Sequence, residues 1–408
     1  MSMVYRFGQL FDIIDGDRGK NYPSDSDFSD EGYCLFLNAG NVTKTGWSFE
    51  NNSFISEDKD RQLRNGRVNK GNTVLTTRGT VGNAAYYDDR VPYDHLRINS
   101  GMVILSAKDN NIIDNEFIYY LVTSPVAKKT IELFCSGSAQ PQLPIKDFVK
   151  IKYDLPSMEI QKHIVSVLSA YDNLIEVNNK RIKVLEQMAE NLYREWFVRF
   201  RFPGHETAEF ENGIPKGWAY RRADEVIVFN PTLKTGSQTE FTIIPMEALS
   251  TNSMVLDSSC FVRQDSISGR RSQNGDTLLA KITPCLENGK TGFVMGMPEN
   301  EVFGGSTEFV VMRSKALTPH YVYCIARSYY FRQTAILSMN GADGRQRVDE
   351  DKLKSTKILQ PEKTVLDRFE TIVTPIFDGV YQMVQENKNL IQQRDLLLPR
   401  LMSGKLEV

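Results

Sequence analysis

Few stretches of this 408-residue chain could carry out chemistry, and each falls short in residue type or spacing. Enzymes that methylate adenine in DNA hold the flipped base with Asn or Asp, two prolines and an aromatic ring that stacks on it. Asn230-Pro231-Thr232-Leu233 begins that pattern but lacks the second proline and the ring, so it reads as a strand-ending turn. A metal nuclease wants an acid and a Glu-x-Lys at a strand end. Glu350-Asp351-Lys352 has the short pattern, as many solvated charge runs do, and it sits beside a helix start. Phe303-Gly304-Gly305 has the wrong spacing for a glycine loop that holds a methyl donor. The sequence GxxxxGK[ST] is absent, which excludes a P-loop ATP motor. The four histidines, at 95, 163, 205 and 320, are isolated, so they suggest neither a metal cluster nor a Ser/His/Asp arrangement. Five scattered cysteines (34, 135, 260, 285, 324), with no CxxC pair, read as small buried hydrophobes.

What is left is an inventory suited to recognition. Basic and amide side chains sit in glycine-rich turns at strand ends: Lys44, Arg78, Arg97 and Gln140 in the first half, Lys281, Lys290, Arg345 and Arg347 in the second. Arg can read a guanine edge bidentately, Gln an adenine edge, and Lys a phosphate. Taken singly, a loop Arg or Lys is more often merely solvated. The net charge of −2, from 49 basic and 51 acidic residues, lacks the basic surplus of a lone, tight DNA binder. A DNA-binding role would therefore need charge gathered on one face and partners that share the phosphate contacts. At 41% hydrophobic and 25% charged residues, the composition is that of a globular protein with room for two or three domains. No apolar run approaches the roughly 18 residues needed to span a bilayer. The segment Met1–Arg6 has no apolar signal core, so a cytosolic protein without a membrane partner is expected.

The elements that must position these residues occur twice, about 205 residues apart. Gly71-Asn72-Thr73-Val74-Leu75 pairs with Gly275-Asp276-Thr277-Leu278-Leu279, and Phe117–Leu121 with Tyr321–Ile325. Gly137 pairs with Gly341, Pro156 with Pro361, and Val103-Ile104-Leu105 with Phe309-Val310-Val311. The stretch from Arg6 to Phe11 aligns with that from Arg221 to Val226. Each half opens with short strands, such as 74–77, 102–105 and 308–312, broken by turns at 78–82, 99–101 and Gly304-Gly305. One helix of moderate length follows, near 114–132 and 318–338, so each half is mixed α/β.

Each half then ends in a long helix. Ile160, Ile164, Val167, Tyr171, Leu174, Asn178, Ile182, Leu185, Ala189, Leu192 and Trp196 form an apolar seam, with one stutter at Asn178–Ile182. Leu366, Phe369, Val373, Ile376, Val380, Met383, Asn387, Leu390, Arg394, Leu397 and Leu401 form the second. Pro156 and Pro361 mark the starts, Gly204 and Gly404 the ends. Two such stripes in one chain most simply bury each other. The expected division is a first α/β domain at 1–155, a central helix at 156–200, a Pro/Gly-rich linker at 201–218, a second domain at 219–360 and a distal helix at 361–408.

Several of these stretches together resemble the specificity (S) subunit of type I restriction-modification enzymes. Gly275–Leu279, with its twin at 71–75 leading into Arg78-Gly79-Thr80-Val81-Gly82, resembles that family's strand-and-loop motif. So do Ser136–Leu143 before the central helix, Leu155–Ile164 at its start and Tyr193–Phe200 at its end, and Leu398–Lys405 at the end of the distal helix. The resemblance covers the whole chain. It implies two target-recognition domains, each gripping half of a bipartite, asymmetric site in double-stranded DNA. It also implies an antiparallel pair of coiled-coil helices acting as a ruler between half-sites. Two methyltransferase (M) subunits would use S-adenosylmethionine, and restriction (R) subunits would add ATP- and Mg2+-dependent cleavage. No cofactor and no catalytic residue are expected in this chain. The halves differ where Lys281-Ile282-Thr283-Pro284-Cys285 stands against Thr77-Arg78-Gly79-Thr80-Val81, leaving Arg78 without a simple twin. Rival readings are a two-headed protein-interaction scaffold, or a methyltransferase or nuclease with an unrecognised site.

Overall fold

A computed structural model describes residues 3–137, 141–342 and 344–403. The chain divides into two compact units: residues up to Leu174 together with those from Leu390 onward, and Ile175–Asn389. Both long helices, Met158–Tyr193 and Lys363–Met402, run across this division. No helix among the described residues is long and apolar enough to cross a membrane.

The first unit holds an antiparallel sheet in the order Phe11–Asp15, Met102–Ala107, Thr73–Thr76, Ala84–Tyr86. A second sheet runs Phe54–Ile55, Cys34–Leu37, Leu96–Ile98, Arg67–Val68, with one parallel pair at its centre. The central strands Val74-Leu75 and Val103-Ile104-Leu105 are fully buried, which explains their unbroken apolar runs. Their opposite faces feed different cores. Leu75, Val103 and Leu105 pack with Phe7, Phe117 and Phe148, whereas Val74 and Ile104 pack with Leu35, Leu96 and Tyr87. Leu398, Leu401 and Met402 of the distal helix, with Ile164 and Leu168 of the central one, close the first of these cores.

The second unit repeats both four-stranded sheets in the same strand order. Its antiparallel sheet runs Ile227–Phe229, Phe309–Ser314, Thr277–Ala280, Thr291–Phe293. Its other sheet runs Val262–Gln264, Phe241–Ile244, Phe303–Gly305, Arg270–Ser272, again with a central parallel pair. Two-stranded ribbons match as well: Met3–Arg6 with Lys152–Leu155, and Ala219–Arg222 with Lys357–Gln360.

Several expectations are corrected. Thr73 pairs with Leu105, and Thr277 with Met312, so the twin of Phe309 is Met102 and not Val103. The helical turns Phe7–Leu10 and Ala223–Val226 likewise shift the first alignment by one residue. Such a slip matters, because one residue moves every side chain to the other face of a sheet. Gly304-Gly305 is not a turn but part of a buried strand. A side chain at Gly304 would come within 2.4 Å of Ile243 Cδ1 on the parallel neighbour, so Ile243 would have to shift to admit one. The expected single helix in each half is two, Asn115–Thr123 with Pro125–Leu133, and Pro319–Arg327 with Tyr329–Leu337. Ser124 and Ser328 break them in extended conformation, and each caps the next helix through its hydroxyl.

The central seam also differs. Leu168 is fully buried and Leu174 is 40% exposed, so Leu168 and Ile175 take the places expected for Val167 and Leu174. With that exchange the spacing alternates threes and fours from Ile164 to Trp196, and the stutter vanishes. Adjacent apolar residues at Leu174-Ile175 made the two frames indistinguishable by pattern. On the distal helix Phe369, Val373, Val380 and Leu401 are buried, Ile376, Leu390 and Leu397 half-buried, and Phe377 is a buried addition. Within the second unit the helices are antiparallel: Trp196 meets Phe369, and Asn178 meets Asn387. Gly404 lies outside the described residues.

Candidate nucleic-acid interface

At one end of each antiparallel sheet, two loops are held by the same backbone bonds. In the first unit Thr77 N donates to Gly101 O (2.8 Å), Leu143 N donates to Thr77 O (2.9 Å), and Ser136 and Gln142 exchange two bonds of 2.9 Å. In the second, Lys281 N donates to Glu308 O (3.0 Å), Val348 N to Lys281 O (2.9 Å), and Asn340 and Arg347 exchange two bonds of 2.8 Å. Arg78 bridges Gln142 just as Ile282 bridges Arg347. The backbone therefore pairs Thr77 with Lys281, Arg78 with Ile282, Gly101 with Glu308, and Gln142 with Arg347. The scaffold is common, and the side chains it presents are different.

In the second unit the loops gather charge. Lys281 Nζ lies 2.9 Å and Arg270 Nη2 2.8 Å from the same Oε1 of Glu350. Arg347 forks onto Glu308, Nη2 to Oε1 at 2.8 Å and Nε to Oε2 at 2.9 Å. That guanidinium holds the Glu308 carboxyl below the usual range, outweighing its partial burial. Arg345 is exposed in the same loop, after Gly344 with φ +79°. Three cations thus face two carboxylates, with Arg345 as a further positive charge. Lys290 stands apart from this pairing, its ammonium 3.3 Å from the carbonyl of Met246.

In the first unit Arg78 is half-buried beside Gln142. Arg18 reaches the neighbouring turn, donating to Ser100 O at 3.3 Å and pairing with Asp15 at 2.9 Å. Lys44 is exposed in the hairpin turn between Val42–Thr43 and Gly46–Trp47. Asn83, at the end of the Arg78 loop, holds that hairpin through Val42 O at 3.2 Å. Gln140 lies outside the described residues.

Arg97 is a correction. It is 3% exposed on the strand Leu96–Ile98, between two neighbouring strands. Its Nε donates to Asp60 Oδ1 at 2.7 Å, Nη2 to Asp60 O at 2.9 Å and Nη1 to Asn65 O at 2.6 Å. A guanidinium committed inside the fold cannot reach a base edge. Conversely, Gln142, Arg18 and Arg270 escaped the sequence reading. Gln142 could have been found by carrying Arg347 back through the repeat, whereas Arg18 and Arg270 have no sequence signal beyond their type.

The two weak catalytic patterns meet in one contact. Asn230 Nδ2 donates to Glu350 Oε2 at 2.7 Å, and Asn230 Oδ1 accepts from Val311 N at 3.0 Å. Asn230 has φ +50°, a left-handed conformation that asparagine tolerates at a strand end. Its amide is thus occupied in holding the fold, and Glu350 in holding three donors. Among the described residues no three His, Cys, Asp or Glu side chains converge as metal ligands. Burial pushes the Cys34 thiol up to about 12, aided by Asp60, as befits a packed rather than a reactive cysteine.

Comparison with known proteins gives a consistent result. The family model "Type I restriction modification DNA specificity domain" matches residues 2–187. The type I restriction enzyme MjaIX specificity subunit of Methanocaldococcus jannaschii is 25% identical over 354 residues, 83% of this chain and 78% of that protein. The putative MjaX specificity subunit of the same organism is 22% identical over 404 residues, 90% of this chain and 84% of its own. The crystal structure of the type I restriction-modification S subunit from M. genitalium shares the fold, with a TM-score of 0.60 at 14% identity, covering 98% of this chain and 96% of that one. With its duplicated α/β units and two long helices, this chain is similar to the specificity subunits of type I restriction-modification enzymes, and its residues 2–187 match their DNA specificity domain.

Proposed function

We propose that the two backbone-matched loop clusters are the surfaces with which this chain reads a bipartite, asymmetric DNA target. The chain is the DNA sequence-recognition subunit of a type I restriction-modification complex, and its work is binding rather than catalysis. The observation that carries the assignment to these loops is their common backbone and divergent side chains. Arg78 and Gln142 stand where Ile282 and Arg347 do. In the first unit Arg78 reads a guanine edge and Gln142 an adenine edge, with Lys44 as a phosphate candidate and Gln140, close to Gln142 in sequence, as a further base candidate. In the second, Arg345 and Arg347 read guanine, while Lys281, anchored by Glu350, meets the backbone. Each good bidentate contact discriminates by about 1–3 kcal/mol, or roughly 5- to 150-fold.

In this reading residues 1–155 and 219–360 are the two recognition domains, 201–218 a linker, and 156–200 with 361–408 the spacer helices. Two methyltransferase subunits supply S-adenosylmethionine chemistry, and restriction subunits supply ATP- and Mg2+-dependent cleavage, in the cytoplasm. This chain's residues bind and orient the DNA for them.

The test is methylation of a randomised DNA library by this chain assembled with its methyltransferase subunit. The expected product is a motif of two short sequences separated by a fixed gap. Exchanging residues 1–155 for those of another family member should change one half only. Methyl transfer by the purified chain alone, or no sequence selectivity with any methyltransferase partner, would overturn the reading.

A further inference from the structure

We propose that two polar layers between the long helices, Asp172–Arg394 and Asn178–Asn387, set the register of the helix pair and so are positioning residues for the gap between half-sites. This rests on the bipartite reading above. In the first unit Arg394 Nη1 lies 2.6 Å from Asp172 Oδ1, while Tyr120 Oη donates to Asp172 Oδ2 at 2.7 Å. In the second unit Asn178, 1% exposed, donates to Asn387 Oδ1 at 3.0 Å and to Glu386 Oε2 at 2.9 Å. Asn387, 7% exposed, donates in turn to Asn179 Oδ1 at 2.9 Å. Along the distal helix the two layers are seven residues apart, and along the central helix six.

Packing does not require these polar groups. Carried through the repeat, which sets Pro156 on Pro361, Asn178 corresponds to Met383 and Asn387 to Ile182. Asp172 likewise corresponds to Phe377 and Arg394 to Ala189, both buried in the apolar core of the second unit. The same helix pair is therefore built once with apolar layers and once with polar ones.

An apolar seam tolerates sliding by a heptad, because one large aliphatic residue replaces another. A buried amide or charge does not, since it must find its partner. A slip in one sense sets Asn178 against Val380 and Arg394 against Val165. A slip in the other sense sets Asn387 against Leu185 and takes Arg394 from Asp172 to Asn179. Either slip leaves buried polar groups unpaired. In the bipartite reading the two helices are the spacer between half-sites, so their register bears on the gap.

The experiment gives the central layers their twins' chemistry in the full chain, as N178M/N387I and as N178M/N387I/D172F/R394A. Each variant is assembled with methyltransferase subunits and assayed on targets whose gap is native, or longer or shorter by one to five base pairs. The expected result is both half-sequences still read, an unchanged or higher Tm, and a preference for the native gap reduced at least about tenfold. N178D/N387K, which keeps a polar pair, should retain the preference. Native-gap preference kept in both apolar variants would overturn the inference. Loss of half-site reading in wild-type complexes would instead defeat the bipartite reading itself. Should the quadruple variant not fold, N178M/N387I alone decides, since it removes no charge.

Discussion

Replacing Arg97 with alanine should damage the stability of the first unit and leave its choice of bases intact. Arg97 and Asp60 are 3% and 1% exposed and joined at 2.7 Å. Removing one member of a buried pair leaves the other charge uncompensated, at a cost of about 3–5 kcal/mol. Arg67, half-exposed, still pairs with Asp60 and should place the loss near the lower end. A unit of this size shifts its Tm by about 2–4 °C per kcal/mol, so calorimetry should show a drop on the order of 10 °C. The double variant Arg97→Leu with Asp60→Leu removes both charges and should recover most of it. Acidity supplies a second check. Burial alone would push the Asp60 carboxyl up, but Arg97 and then Arg67 outweigh it and hold it below the ordinary value. A depressed folded-state pKa contributes stability above the unfolded carboxylate range, and that contribution is lost as pH falls through the folded value. The gap in Tm between wild type and Arg97→Ala should therefore narrow only as pH falls below the ordinary carboxylate range and through the depressed folded value. An Arg97→Ala chain that melts like wild type but no longer selects its first half-site would refute this assignment and return Arg97 to the DNA.

The remaining predictions concern the reading loops. Arg78→Ala and Gln142→Ala should each lower selectivity at one half-site by about 5- to 150-fold in a methylation competition, leaving the other half unchanged; equal loss at both halves would contradict separate reading. Glu350→Gln should loosen Lys281 and Arg270 together, so selectivity at the second half-site should fall although Glu350 itself need not touch DNA. Because Arg347 depresses the Glu308 pKa, their fork persists above the ordinary carboxylate range and is lost as pH falls through the folded value. Titration of an isotope-labelled Glu308 carboxyl should show that depressed midpoint in wild type and a return toward normal in Arg347→Ala.

The duplication and the two long helices could be read from the residues alone, because periodicity and turn chemistry are local properties of a sequence. Gly71–Leu75 and Gly275–Leu279 each announce a turn followed by a buried strand, and the heptads announce helices that must pair. Only the tertiary structure decided register and burial. The twin of Phe309 is Met102 because strand pairing fixes it, and the seam uses Ile175 rather than Leu174 because only one of two adjacent apolar residues can face the partner. Arg97 looked like a reader because its type and position near a turn are those of a reader. That it is buried against Asp60, 37 residues away, depends on a packing that no local pattern records. The same holds for Gln142: its place beside Arg78 is made by one backbone bridge between distant loops.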